Sequence, residues 1–461
     1  MKYRDENDSL GTVSVPDDAL WGAQTQRASE NFPHQGDAMP QLVIEALASI
    51  KKAAAIANER LGQLDDRQKA LIVQACDEVL SGQHDGQFPL SIWQSGSGTQ
   101  SNMNMNEVIA NRANELAGGK RGSKYPVHPN DHVNCSQSSN DVFPTAMHLS
   151  ALWAVERSLI PALNELRDAL QRKSDEFQAL WKVGRTHLMD AAPMTLGQEF
   201  SGYVAQIDGA IKQLEEAREG LYPLAIGGTA VGSGLNTPQG WQCTVIEQLQ
   251  LLTGLPVSSG NNKFAALSSH GPLLALSAAL RQLAAEILVI GNNLRMLASG
   301  PRAGLGEVQL PANEPGSSIM PGKVNPTQIE SITMIAVQVM GLDSAVNLAC
   351  TQAHLQLNVF KPLIISNVLE AIDLLTAGSQ HFVRHCVNDL SCHEKQLAKN
   401  VEHSLMIVTA LTPMLGYDKA AEIAKYAQAN DLTIRQVLEA QKILSGAEFD
   451  RLIRQHVLGG G

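Results

Sequence analysis

The sequence predicts a mainly α-helical protein organised around a bundle of long helices. Three observations carry this. Leu273, Leu276, Leu280, Leu283, Ile287, Ile290, Leu294 and Leu297 recur at spacings that alternate three and four. That seam marks one helix of roughly 25 residues or more, packed lengthwise on others. Four further stretches belong with it: Leu149 to Leu170, Phe200 to Leu214, the apolar run after Pro326, and residues 355–377. The chain is also 44% hydrophobic but only 4% aromatic, so Ala and Leu must supply a core of the kind helices pack with. Five long helices in one region make a bundle. Their length exceeds what a bundle within one chain commonly needs, which implies burial against sister chains.

Taken in order, the chain opens with mixed structure. Thr12-Val13-Ser14-Val15-Pro16 reads as a short strand or extended segment. Helices follow near residues 40–60 and 65–81. Asp65 and Asp66 open the second, where carboxylates suit the helix dipole. Ser95-Gly96-Ser97-Gly98-Thr99 is a Gly-rich turn before a helix that carries Asn102, Asn104 and Asn106. It lacks the Lys-Ser/Thr ending of a phosphate loop. Amides on successive turns point to a polar, water-lined site rather than to a core. Pro161 lies inside the stripe from Leu149 to Leu170 and should kink that helix. Ala225 to Gly234 reads as a flexible loop. Beyond about residue 393 the helices shorten, and Asn400 to Gly461 reads as a small helical unit. The expected division is 1–138, mixed but mainly helical; 139–393, the long-helix bundle; and 394–461, a small helical domain.

Composition excludes several function classes. A net charge of -11 with no basic run argues against a nucleic-acid partner. It does not forbid a dianionic ligand, because the local field decides that. Six scattered cysteines without a Cys-x-x-Cys pair form an intracellular pattern of free thiols, with no iron–sulfur ligand set. The polar, acidic start shows no signal peptide, and no spanning segment is read, so cytoplasm is the default and no membrane partner is expected. No His-x-x-x-His pair or acid-rich set stands out, so neither metal nor other cofactor is expected.

The stretch that everything else serves is Gly316-Ser317-Ser318-Ile319-Met320-Pro321-Gly322-Lys323-Val324-Asn325-Pro326. Its glycines permit close approach of backbone to a ligand. Asn325 suits a helix cap, Pro326 its first turn, and Gln328 a capping box. The loop thus delivers two hydroxyls and an ammonium group to the positive end of a helix, a place that holds anions. Two other clusters are dense in hydrogen-bonding groups and are expected next to helix starts. One runs from His128-Pro129-Asn130-Asp131 through Asn134 to Ser136–Asp141. The other is Gly184-Arg185-Thr186-His187-Leu188-Met189-Asp190-Ala191. His148, His270, His354 and His403 lack such support and are read as structural.

These segments resemble the fumarase/aspartase superfamily, whose members eliminate a group beta to a carboxylate. The likeness covers nearly the whole chain: Trp21–Arg27, Ser95–Glu107, Ser136–Thr145, Ala225–Gly234, the Gly316–Pro326 loop, Gly416–Ala424 and Ser445–Asp450. Met-Pro-Gly-Lys-Val-Asn-Pro is the form kept by fumarases and aspartases. His187 stands where aspartases typically carry Gln, so the chain is most similar to the class II fumarases. The resemblance implies a three-domain fold whose central five-helix bundle forms a 20-helix core in a homotetramer, each active site drawing on three chains. It implies reversible hydration of fumarate to L-malate, a step of the tricarboxylic acid cycle, through an aci-carboxylate intermediate. By the same resemblance Ser317 is the base, His187 handles the water, and Glu330 orients His187. Ser97, Gly98, Thr99, Ser138, Ser139, Asn140, Thr186, Ser318, Lys323, Val324 and Asn325 would hold the small dicarboxylate. His128, Pro129, Asn130 and Asp131 match the family's second dicarboxylate site, although Tyr125 stands where some relatives carry a basic residue.

Overall fold

The computed structural model describes residues 2–33, 36 and 38–458; Gly459–Gly461, the end of the expected C-terminal unit, lie outside the described residues. Helices dominate. The five long ones are Ser139–Ala154 running on to Glu176, Leu196–Glu219, Gly271–Leu297, Thr327–Cys350 and Lys361–Phe382. Every residue of the seam from Leu273 to Leu297 is buried, as are the stripes Leu149–Leu170 and Phe200–Leu214. The strands of the described residues form only two-stranded ribbons. The mainly helical fold is therefore as the periodicity predicts.

Several elements depart from the sequence reading. Ahead of Pro161, where the sequence predicts a kink, the chain takes a π-turn over Val155–Leu159, and Ile160 N–H donates to Val155 O. The ring then falls in the first turn of Ile160–Glu176, where a missing N–H is tolerated. The last long helix starts at Lys361 rather than near 355. Ala353–His354 and Leu357–Asn358 first pair as a tiny ribbon, and Asn358 Oδ1 accepts from Phe360 N at 2.8 Å. The cluster Gly184–Ala191 does not border a helix start: it is the tip of a β-hairpin, Trp181–Thr186 with Met189–Thr195.

The sequence reading expects no spanning segment, yet among the described residues three helices are long and apolar enough to cross a membrane by length and composition: Gly271–Leu297, Thr327–Cys350 and the run Lys361–Val387. Their apolar content has another physical account. Thr327–Cys350 carries two stripes, one buried through Ile329, Ile332, Ala336, Val339 and Val346, the other exposed through Met334 (66%), Val337 and Leu348 (66%). An apolar run with two opposed stripes is what a helix shared by two packing partners needs. Within the same helix Asp343 is buried and ion-paired with Arg281 at 3.0 Å.

The chain divides into two compact units. One comprises Met1–Pro161, Lys212–Ala284 and Val337–Thr376; the other Ala162–Ile211, Ala285–Ala336 and Ala377–Gly461. In the first, the strand read at Thr12–Pro16 pairs with Tyr3–Asp8. The helices Gln41–Arg60 and Asp66–Leu80 lie where expected, and Asp65 forms a capping box with Gln68. In the second, Ile407, Val408, Leu411, Ile423, Ile434, Val437, Leu438, Phe449 and Ile453 make a local apolar core under the short C-terminal helices.

Candidate active site

In the first unit the chain folds its hydroxyl and amide residues onto one another. Gly98 takes a left-handed conformation (φ 75°) and starts the helix Thr99–Leu116. A Cβ there would sit 2.3 Å from the buried Phe143 ring, so only glycine lets the turn lie against it. Ser97 Oγ lies 2.8 Å from Thr99 Oγ1 and 3.0 Å from Ser95 Oγ. Ser138 is the N-cap of Ser139–Ala154, in a capping box closed by Asp141. Asn102 Nδ2 joins the two turns by donating to Ser139 Oγ (3.0 Å) and Asn134 Oδ1 (3.2 Å). Asn140 Nδ2 reaches Ala230 O at 2.8 Å. The segments Ser97–Thr99, Ser138–Asn140 and the 225–234 loop thus form one cluster.

The other amides of this helix correct the expectation of a water-lined face. Asn104, Asn111 and Asn114 are buried and donate to Gln87 O, Leu20 O and Val127 O. They sew loops to the helix. Only Asn102 and Asn106 turn toward Asn134.

Sequence reading missed what lies beneath this cluster. Asp141 is buried and its carboxylate accepts from Ser138 N, Gly227 N and Thr229 N, each at 2.9 Å. Burial pushes its pKa up, against those three donors and Lys51. Three buried lysines feel its charge. Burial drags Lys51 and Lys361 down to about 7 and Lys263 to about 8, and Asp141 opposes each shift. Lys51 Nζ donates to Asn134 and Gln137, and Lys263 Nζ to Leu224 O. A visible signal existed: Lys51 interrupts an otherwise apolar, Ala-rich helix face.

In the second unit the Gly316–Pro326 loop closes on itself. Gly316 N donates to Lys323 O at 3.0 Å, and the Asn325 side-chain amide donates to Gly316 O. Asn325 therefore ties the loop's neck; among the described residues it makes no capping bond. A Cβ on Gly316 would meet Lys323 O at 2.2 Å, which explains the glycine. Inside the loop Ser317 Oγ accepts from Ile319 N (3.3 Å) and Met320 N (3.1 Å). Two backbone dipoles thus point at one hydroxyl oxygen, the arrangement that favours negative charge on it. Ser318, Lys323 and Val324 are exposed on the loop.

Thr186 and His187 sit at the hairpin tip. His187 (φ 55°) and Leu188 (φ 61°) are the two turn residues, both left-handed. That geometry matches the twist of a two-residue hairpin, yet neither residue is the Asn or Gly that would announce it. Residues 186–190 are all exposed. Among the described residues His187 and Glu330 make no side-chain hydrogen bond, so the single chain does not join them.

The segment His128–Asp131 is a tight turn. His128 Nδ1 accepts from Asn130 N and Asp131 N, both at 3.1 Å. It also lies 3.4 Å from Asp131 Oδ2. The two N–H donors need an unprotonated Nδ1, and burial lowers the His128 pKa despite Asp131. His128, Pro129 and Asn130 line a cavity of about 320 Å³ together with Lys124, Glu6 and Asp8. Lys124 Nζ is occupied by Asn7 O at 2.5 Å, and Tyr125 is 76% exposed.

A lyase family matches residues 11–341, which sets the class of protein that this helical fold and glycine-closed loop define. The fumarase C C-terminal family matches residues 407–458. The class II fumarate hydratase 1 of Pseudomonas aeruginosa is 57% identical over 98% of this chain and 97% of its own. The class II fumarate hydratase of Thermosynechococcus vestitus is 56% identical over 99% and 97%. The class II fumarase structure from Schistosoma mansoni superposes with a TM-score of 0.94 at 44% identity, over 98% of both chains. The chain belongs to the class II fumarate hydratase family.

Proposed function

We propose that the chain interconverts L-malate and fumarate plus water by general acid–base catalysis. The observation that carries the mechanism is Ser317 Oγ at the focus of two backbone N–H groups in a self-closed loop. A proton beside a carboxylate is very weakly acidic, so its removal needs both a base and stabilisation of the charge that develops. An unassisted serine is too weak an acid to ionise near neutral pH. Ile319 N–H, Met320 N–H and the Lys323 ammonium supply the assistance. In dehydration the Ser317 alkoxide takes a C3 proton, and the C–H electron pair moves into the adjacent carboxylate as an aci-carboxylate. That pair then forms the double bond while the C2 hydroxyl departs, protonated by His187, as water. Hydration is the reverse.

The donors Ser97, Thr99, Ser138, Ser139, Asn140, Thr186, Ser318, Lys323 and Asn325, with the backbone at Gly98 and Val324, hold the substrate carboxylates. They are mostly neutral. Glu330 orients His187. Because no hydrogen bond joins His187 to Glu330 among the described residues, and because Met334, Val337 and Leu348 leave an apolar stripe exposed, we assign the working form to a homotetramer with sites shared between chains; the free thiols support a cytoplasmic assignment. The cavity beside His128 is assigned to a second dicarboxylate. The three-part division at 138/139 and 393/394 is kept as a proposal, supported at its C-terminal end by the local core around Ile423.

The deciding experiment follows fumarate absorbance in the ultraviolet after adding L-malate, with L-aspartate run beside it. Fumarate from malate, and far less from aspartate, is expected. Faster release from aspartate would make the chain an ammonia lyase and overturn this reading.

A further inference from the structure

We propose that Glu307 is a positioning residue that holds His187 in place through Arg185. The hairpin that carries His187 is irregular: its register shifts between Val183 and Arg185. A shift of this kind bends the strand and re-aims what lies beyond it. Beyond it only Arg185–Asp190 and Thr186–Met189 pair, and residues 186–190 are all exposed. The side chain that anchors this tip is Arg185, whose Nη2 donates to Glu307 Oε1 at 2.6 Å.

Glu307 is itself firmly fixed. It is fully buried, its N–H donates to Leu297 O at 2.8 Å, and its carbonyl accepts from His393 N at 3.0 Å. Asn400 Nδ2 donates to the same Oε1 at 3.0 Å, and Lys182 Nζ lies 3.5 Å from Oε2. Lys182 also pairs with Glu199, which accepts from Tyr203 OH at 2.8 Å. The carboxylate thus ties the base of the hairpin to the start of the short C-terminal helices. Burial alone would raise its pKa; Arg185 and Lys182 outweigh that and keep it below the ordinary value. A charged, bidentate-capable guanidinium held by a buried carboxylate is among the stiffer tethers that side chains make.

This rests on the assignment of His187 to the water. The test compares steady-state kinetics and pH profiles of wild type, Glu307→Gln, His187→Asn and the double variant, with circular dichroism and thermal melting as fold controls. Glu307→Gln should lower kcat about 10–100-fold, the scale of a misplaced catalytic group, with KM within about threefold. It should also move the limb of the pH profile that His187→Asn removes. The double variant should be no slower than His187→Asn, because nothing remains to be positioned. If Glu307→Gln does not fold, Arg185→Lys, which keeps the charge and loses the fork, is read by the same criteria. A folded Glu307→Gln with wild-type kcat, beside an inactive His187→Asn, overturns the proposal alone. A double variant slower than His187→Asn by the full single factor also overturns it. Near-normal turnover of His187→Asn overturns the role given to His187, and this proposal with it.

Discussion

The backbone N–H of Met320 donates to Ser317 Oγ over 3.1 Å, and the N–H of Ile319 reaches the same oxygen. A serine so placed accepts two donors before any substrate arrives. Its hydroxyl is poised to carry negative charge rather than to give up a structural bond.

Ser317→Ala should therefore remove most turnover, by about 10²–10⁴-fold. Stability should change by no more than about 0.5 kcal/mol, because the residue lies on a surface loop. The check is malate dehydration beside urea unfolding. Near-normal turnover in a folded variant would move the base role elsewhere.

His187→Asn is the cleaner probe of the second catalytic position, because Asn tolerates the left-handed φ of 55° found there better than most residues. Imidazole can exchange a proton with an oxygen near neutral pH and a neutral amide cannot. The variant should lose kcat far more than it changes KM for L-malate. A rise in KM at unchanged kcat would make His187 a binding group instead.

Asp141→Asn should destabilise the protein by about 3–5 kcal/mol, the usual result of breaking a buried charge set from one side. The amide would turn N–H groups toward backbone donors at Ser138, Gly227 or Thr229. It would also leave Lys51, Lys263 and Lys361 without their shared countercharge. Denaturant unfolding measures this. A loss under about 1 kcal/mol would show that these lysines are neutral in the folded protein.

Two buried histidines give stability a pH dependence of definite sign. Burial lowers His148 to about 4 and His270 to about 3, both below the unfolded value near 6.5. As pH falls, the unfolded chain takes up these protons first. The contribution is therefore complete above about pH 6.5 and is lost as pH drops toward 4, on the order of 3 kcal/mol for each histidine. Replacing His148 with Gln should flatten the fall between pH 6.5 and 4, read from urea midpoints. An unchanged slope would mean that His148 is protonated in the folded state.

What the sequence determined by itself was whatever repeats along a short stretch. Heptad spacing from Leu273 to Leu297 places one face of a helix indoors, and nothing distant is needed to say so. The chemistry of Gly316–Pro326 was legible for the same reason, since its hydroxyls, glycines and lysine are neighbours in the chain. Tertiary structure alone decided the rest. It put His187 on a hairpin tip, where the left-handed turn has no Asn-Gly signature. It turned Asn325 from a helix cap into the tie across a loop neck, and Asn104 from a site amide into a loop fastener, as it did the unremarked Asn111 and Asn114. It gathered Lys51, Lys263 and Lys361 around Asp141. Asp141 meets Gly227 across 86 residues and Arg185 meets Glu307 across 122. A buried charge or amide is tolerated only where a partner satisfies it, and partners so far along the chain are chosen by the fold.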